Sequence, residues 1–254
     1  MIRGLYMAGG ALLQQAYDLE VTANNVANLN TVGFKADKTS YRTFQEVLLG
    51  RTNENRPAPA VGNFLRGSGE IQAPYIDFGQ GVLTATGNPL DLAIRGPGFF
   101  TIQQADGSLG YTRAGNLVLD DTRTLITTAG QSVLDDQGLP VTVPDNGALQ
   151  VDPRGQLTVA GQPVARLGLV NFIDPAQLEK LGGNTFRDKG GAGPVPVAGN
   201  TMVQQGFLER SNVSALGSMA QLTIVLRSFE ASQKVVTMMD ETLRQAAADL
   251  GRSQ

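Results

Sequence analysis

The two ends of this 254-residue chain carry matching heptad stripes, and its middle does not. Near the N-terminus Leu5, Leu12, Leu19 and Val26 recur at seven-residue spacing, with Ile2, Gly9, Ala16 and Ala23 three positions before each. Near the C-terminus Leu222, Phe229, Val236, Leu243 and Leu250 keep the same period. A sustained heptad makes a helix whose apolar seam requires a partner helix. The stripes therefore predict an α+β chain: long N- and C-terminal helices forming a coiled-coil pair, with a β-rich middle between them. Such a chain suits a subunit that polymerises through its paired ends and displays its middle.

Composition narrows the chemistry. Cys, His and Trp are absent, charged residues make up 17% of the chain, and the net charge is -3. Without thiol or imidazole there is no Cys nucleophile, no His general base and no nitrogen or sulfur ligand for zinc. Scattered Lys and Arg give no electrostatic footprint for nucleic acid or an anionic membrane. Most hydrolase and metal chemistry is thereby unavailable and a carboxylate-only mechanism stays open; the expectation is a non-enzymatic protein with no cofactor, no metal and no small-molecule substrate. Gln14, Gln15, Asp18 and Glu20 interrupt the N-terminal apolar run, so neither a secretory leader nor a membrane span is expected there.

The first helix is expected from Ile2 to Asn28, weakened at its end by Asn24, Asn25 and Asn28, with Gly33 just past it. Phe34 to Leu49 is expected to be a short continuation or an extended arm, and Arg51 to Gly69 a linker. From Glu70 to Phe172 short alternating runs are cut by turn residues. Leu90–Ile94, Phe99–Ile102 and Asn116–Asp120 are predicted strands. Asp106-Gly107, Gln137-Gly138, Asn146-Gly147 and Arg154-Gly155 are predicted turns. Phe172 to Leu181 is predicted as a short helix capped by Asp174, and Arg187 to Gly199 as a loop. The last helix is predicted to start at Ser211 or Asn212 and to run to about Leu250. Its second apolar row begins with Met219 and Leu226 and shifts to Met239 and Ala246. The implied domains are 1–45 with 205–254 (helical, polymerising), 46–69 (linker or arm) and 70–204 (β-rich, outer).

Three Asn in the last turns of a helix are costly unless their amides are bonded. They either cap the helix or bond across subunits. The segment Ala23-Asn24-Asn25-Val26-Ala27-Asn28, followed by Thr31, Gly33, Phe34 and Lys35, resembles the N-terminal signature of the bacterial flagellar axial proteins, the rod and hook group. The resemblance extends through Gly87-Asn88-Pro89-Leu90-Asp91, Gly96-Pro97-Gly98-Phe99-Phe100 and Tyr111-Thr112-Arg113-Ala114-Gly115-Asn116. It resumes at Gly206-Phe207-Leu208-Glu209 and Ser211-Asn212-Val213, so it covers nearly the whole chain. Within the group the length fits a rod protein and is too short for a typical hook protein, and Tyr75 to Gly81, Asp240-Glu241 and the Gly251-Arg252 ending look more like the proximal rod subgroup than the distal one.

The resemblance implies a structural subunit of the flagellar basal-body rod that transmits torque. It also implies export by the flagellum's type III apparatus without a cleaved signal peptide, terminal helices on the inner wall of the tube, and β-rich domains outside. The implied partners are copies of itself, other rod and hook subunits and the export apparatus. The implied subunit-interface residues are Leu5, Leu12, Leu19, Asn24, Asn25, Val26, Asn28, Leu222, Leu226, Phe229, Val236 and Leu243. Alternatives are the distal rod protein, a self-contained β adaptor closed by its own coiled coil, and a peptidoglycan-active enzyme using Asp120-Asp121 and Asp135-Asp136.

Overall fold

Both apolar stripes become helices: α1 spans Ile2–Ala27 and α2 spans Ala215–Arg252. The structure, a computed structural model, describes residues 2–42, 70–71, 74–144, 147–182, 184–197 and 199–252. The expected linker at 51–69 and the arm beyond residue 42 lie outside the described residues. At 1.5 Å per residue the helices are about 40 and 57 Å long. No helix among the described residues is long and apolar enough to cross a membrane. The start of α2 is later than expected. Ser214 caps it, its Oγ accepting the Gly217 N–H at 3.3 Å. Ser211 and Asn212 have other partners: the Ser211 hydroxyl accepts the Val213 N–H, and the Asn212 amide ties together distant strands of backbone.

The chain divides into a helical unit (Met1–Ala27, Asp37–Tyr75, Ser214–Gln254) and a β unit (Asn28–Ala36, Ile76–Val213). Within the helical unit α1 and α2 pack on one another. The covered positions of α2 step mainly by four and three, through Ser218, Leu222, Val225, Phe229, Ser232, Val236 and Met239, with Ser228 half-buried beside Phe229 and Val225 the most buried. The second row of the seam is therefore 218–225–232–239: the expected Met219 and Leu226 are exposed, whereas Met239, expected after the shift, lies in the row. Two of its members are serines, so apolar character alone assigned the row one residue too late. On α1 the half-buried set includes Leu12, Gln15, Leu19, Thr22 and Val26. Of the expected companions, Gly9 is half-buried, Ala16 and Ala23 are exposed, and the side chain of Ile2 lies outside the described residues.

The β unit is a set of antiparallel pairs. Among the described residues its largest sheet runs in the order Leu178–Gly182, Thr185–Asp188, Leu109–Thr112, Phe99–Gln103, Ser132–Val133, Leu125–Thr127, Leu117–Leu119. Leu169–Phe172 also pairs with Phe99–Gln103, and Pro194–Pro196 pairs with Leu169–Phe172. Two further pairs bring the C-terminal part of the chain home: Met202–Gln205 lies against Leu92–Arg95, and Phe207–Glu209 against Leu83–Ala85. The aliphatic core includes Leu92, Ile94, Phe100, Ile102, Leu125 and Val203. A separate aromatic cluster joins Phe99, Tyr111, Phe172 and Phe186, with Phe78 packed on it.

Two local expectations fail for tertiary reasons. The predicted helix at 172–181 is a single 3-10 turn, Pro175–Gln177, in which Asp174 accepts the Ala176 N–H. Leu178–Gly182 then pairs as a strand with Thr185–Asp188, burying Leu178 in the aromatic cluster. The cap and proline set one turn; long-range pairing overrides the rest. The predicted loop at 187–199 contains the strand Pro194–Pro196. It pairs with Leu169–Phe172 alone, an edge position where proline removes no needed donor. Of the predicted turns, Asp106-Gly107, Gln137-Gly138 and Arg154-Gly155 form, each with its glycine at positive φ, and Asn146 of the fourth lies outside the described residues. Asp120, Asp135 and Asp152 each accept backbone N–H groups two and four residues ahead, so one Asp-braced hairpin recurs three times.

Candidate assembly interface

A helix that pairs with one partner needs one apolar stripe, and α2 has more. Leu216 is 83% exposed and Met238 65%, with Met219, Ile224, Leu226 and Val235 also exposed; Leu13 of α1 is 70% exposed. At about 100° per residue, Met219 and Leu226 fall on one flank of the α2 seam, and Ile224, Val235 and Met238 on the other. A pair of helices cannot cover both flanks. Leu12, Leu19, Val26, Leu222, Phe229 and Val236 sit half-buried within the helical unit, while Leu226 points outward. The side chains of Leu5 and Leu243 lie outside the described residues.

The three asparagines have three different settings. Asn25 is buried, and its amide grips the backbone of Asp37 from both sides: Nδ2 donates to the carbonyl at 2.7 Å and Oδ1 accepts the N–H at 3.0 Å. Asn24 is exposed. Asn28, half-buried, accepts the Thr31 hydroxyl at 3.0 Å. Asn25→Ala strands two backbone groups, at about 1–3 kcal/mol, against a gain of under about 1 kcal/mol in helix propensity. It is therefore expected to lower the melting of the helical unit, followed by circular dichroism at 222 nm.

The β unit holds a second constellation. Lys35 Nζ lies 2.7 Å from Glu209 Oε1, and Arg113 Nη1 lies 3.2 Å from Glu209 Oε2, with all three side chains almost fully buried. Burying charges is tolerable only where hydrogen bonds complete their shells. Lys35 Nζ also donates to the Gly79 carbonyl, and Glu209 Oε1 accepts the Gly81 N–H. Arg113 Nη2 donates to the Gly96 carbonyl, and its guanidinium lies 5.2 Å from the centre of the Phe99 ring. Burial pushes the Lys35 ammonium below the usual lysine range, with Glu209 pulling the other way. Burial does the same to Arg113.

Around this triad the ends of the β unit are sewn together. The Gly33 N–H donates to the Glu209 carbonyl. Asn212 accepts the Ala36 N–H and donates to the carbonyls of Asp77 and Gly79. Lys180 caps the Lys35 carbonyl with its Nζ over the Phe34 ring, and Asn184 caps the Val32 carbonyl. Gly81 has no room for a side chain, since a Cβ there would fall on the Arg210 carbonyl. Sequence reasoning missed Lys35, Arg113 and Glu209 as a group. The available signal was one charge inside each of three Gly-rich, apolar motifs: Gly33-Phe34-Lys35, Arg113-Ala114-Gly115 and Gly206-Phe207-Leu208-Glu209.

The carboxylates considered for glycan chemistry brace turns. Asp120 accepts the Thr122 hydroxyl and the N–H groups of Thr122 and Thr124, and the Thr122 hydroxyl in particular holds its carboxyl below the usual carboxylate range. Asp135 accepts the Gln137 and Leu139 N–H groups. Among the described residues no group of three or more acidic side chains could hold a metal ion.

Three family models match the chain. Residues 5–35 match the flagella basal body rod protein model, residues 93–161 the D1 domain of the flagellar hook protein FlgE/F/G, and residues 204–250 the C-terminal model of the flagellar basal body rod FlgEFG protein. Each matched segment supplies one member of the buried triad. The chain is 31% identical to the flagellar basal-body rod protein FlgG of Borreliella burgdorferi over 96% of its length and 97% of the relative's. It is 33% identical to FlgF of Caulobacter vibrioides over 99% of each chain, and 31% identical to FlgG of that organism over 96% and 97%. Long terminal helices with uncovered apolar flanks, a hairpin-built β unit and these matches along the whole chain agree: it belongs to the family of flagellar basal-body rod proteins and is a structural subunit of the rod.

Proposed function

We propose that this chain is the proximal rod subunit, that it polymerises through its terminal helices, and that it has no catalytic activity. The observation that carries the polymerisation is the apolar surface on both flanks of α2, which one partner helix leaves uncovered. Neighbouring copies and other rod subunits would cover it, through Leu5, Leu12, Leu19, Val26, Leu222, Leu226, Phe229, Val236 and Leu243, with Asn24 and Asn28 fixing register. α1 and α2 would act as a coiled-coil pair within each subunit. Export through the flagellar type III apparatus, without a cleaved signal, is the route this reading requires.

The proximal assignment draws support from the stretch Tyr75 to Gly81, the Asp240-Glu241 pair and the Gly251-Arg252 ending. Non-catalytic character draws support from Asp120. A glycosidase acid needs a raised pKa, and the hydrogen bonds of Asp120 push the opposite way. Deleting the gene and imaging basal bodies by electron cryotomography tests the assignment. The expected result is loss of the whole rod, hook and filament; a stub of proximal rod would assign the chain to the distal segment instead.

A further inference from the structure

We infer that the triad and the segments it joins form a latch: residues 28–36, 77–86 and 207–213 open together, as one cooperative unit, while the core of the β unit stays folded. This goes beyond the role as a rod subunit and does not depend on it.

Four observations carry the inference. First, the latch and the core are held by different kinds of contact. The core is built from hairpins with braced turns joined by longer-range strand pairs, and its aliphatic cluster draws on none of the three latch segments; Phe78 is the latch residue that packs on the aromatic cluster. The latch segments are held to one another by bonds between residues 44 to 176 positions apart in the chain, and to the core by a few side-chain bonds: Gln80 with the backbone of Ile94 and Gly96, Lys180 with the Lys35 carbonyl and Asn184 with the Val32 carbonyl. Second, the latch is built to be all or none. Removing any one segment leaves buried charge or buried backbone groups unpartnered in the other two, and that penalty couples them.

Third, a rupture line exists that separates charges acceptably. Arg113 is anchored to the core by the Ile94 and Gly96 carbonyls and the Phe99 ring. Lys35 and Glu209 are held to each other at 2.7 Å, against 3.2 Å for Glu209 to Arg113. Opening between Glu209 and Arg113 lets a neutral Lys–Glu pair leave together. Fourth, the latch segments end at paired glycines. Gly87 and Gly206 both have positive φ, at 75° and 78°, and both the Thr86 and Gly87 N–H groups donate to the Gly206 carbonyl. A Cβ at either would meet nothing closer than 3.8 Å, so the conformation rather than crowding calls for glycine. Beyond this point Met202–Gln205 stays in the core through Val203. An open latch frees the chain leading to each terminal helix without unfolding the β unit, a sub-global opening of the kind that local stability differences permit.

Native-state hydrogen exchange on the full chain, with denaturant raised in small steps, tests this. The amides of Gly33, Ala36, Asp77, Gly81, Arg210 and Asn212 are expected to share one opening free energy, with Ile102, Leu125 and Val133 at least ten-fold better protected. Glu209→Gln is expected to speed all six latch amides by a common factor of about a hundred and to leave the three core amides unchanged; Asn212→Ala does the same without touching a buried charge. Wild-type exchange at one rate for latch and core would overturn the inference. So would six latch amides with unrelated rates, or a Glu209→Gln effect confined to Gly81.

Discussion

Phe186→Ala is expected to lower the melting temperature of the β unit by about 10 °C. Phe186 is fully buried, and its ring meets Phe78 and Phe99 edge-on at centroid distances of 5.3 and 5.7 Å. Deleting a buried phenyl ring costs about 3–5 kcal/mol, and each kcal/mol moves the midpoint of a domain this size by about 2–4 °C. The ring also links two parts of the sheet, because Thr185–Asp188 pairs on one side with Leu109–Thr112 and on the other with Leu178–Gly182. Near-ultraviolet circular dichroism reports the loss directly, since with no Trp the aromatic signal comes from Phe and Tyr alone. α1 and α2 belong to the other unit, so their signal at 222 nm should move little.

Phe229→Ala, with Leu222→Ala beside it, is expected to abolish assembly and leave the β unit's melting unchanged. Both residues sit in the α2 seam, half-buried within the single chain. A seam side chain that becomes fully buried between packed helices contributes about 2–5 kcal/mol, repeated at every subunit. Swarming in soft agar should stop while the variant is still found outside the cytoplasm. An equal drop in the β unit's midpoint would place these residues in a single closed core.

What the sequence disclosed follows the range of the forces involved. Heptads and turns are local, and both helices and the hairpins braced by Asp135 and Asp152 were legible, whereas Asp120, which braces the same kind of turn, was read as the end of a strand. The seam was legible in one row and, in the second, at Met239. Leu222, Phe229 and Val236 announced themselves, whereas Ser218 and Ser232 occupy seam positions that apolar periodicity passes over. The strand Leu178–Gly182 followed good helix-start signals and was claimed by its partner Thr185–Asp188. Lys35, Arg113 and Glu209 were invisible as a group because 96 and 174 positions separate Glu209 from its partners. Asn25 was recognised as costly, but its partner, the backbone of Asp37, follows from tertiary structure alone.

The claim that subunits join through the exposed flanks of the terminal helices is most directly tested by cross-linking within assembled rods. The chain has no cysteine, so Leu13→Cys and Leu226→Cys introduce the only thiols of the subunit. Both positions are exposed in the single chain, at 70% and 41%. Purified basal bodies carrying either variant should resist maleimide labelling or, with a short bis-maleimide, yield dimers and larger multimers. Dilute subunit should label fully and stay monomeric. Assembled basal bodies whose cysteines label as fast as those of the free subunit and never cross-link would contradict the claim.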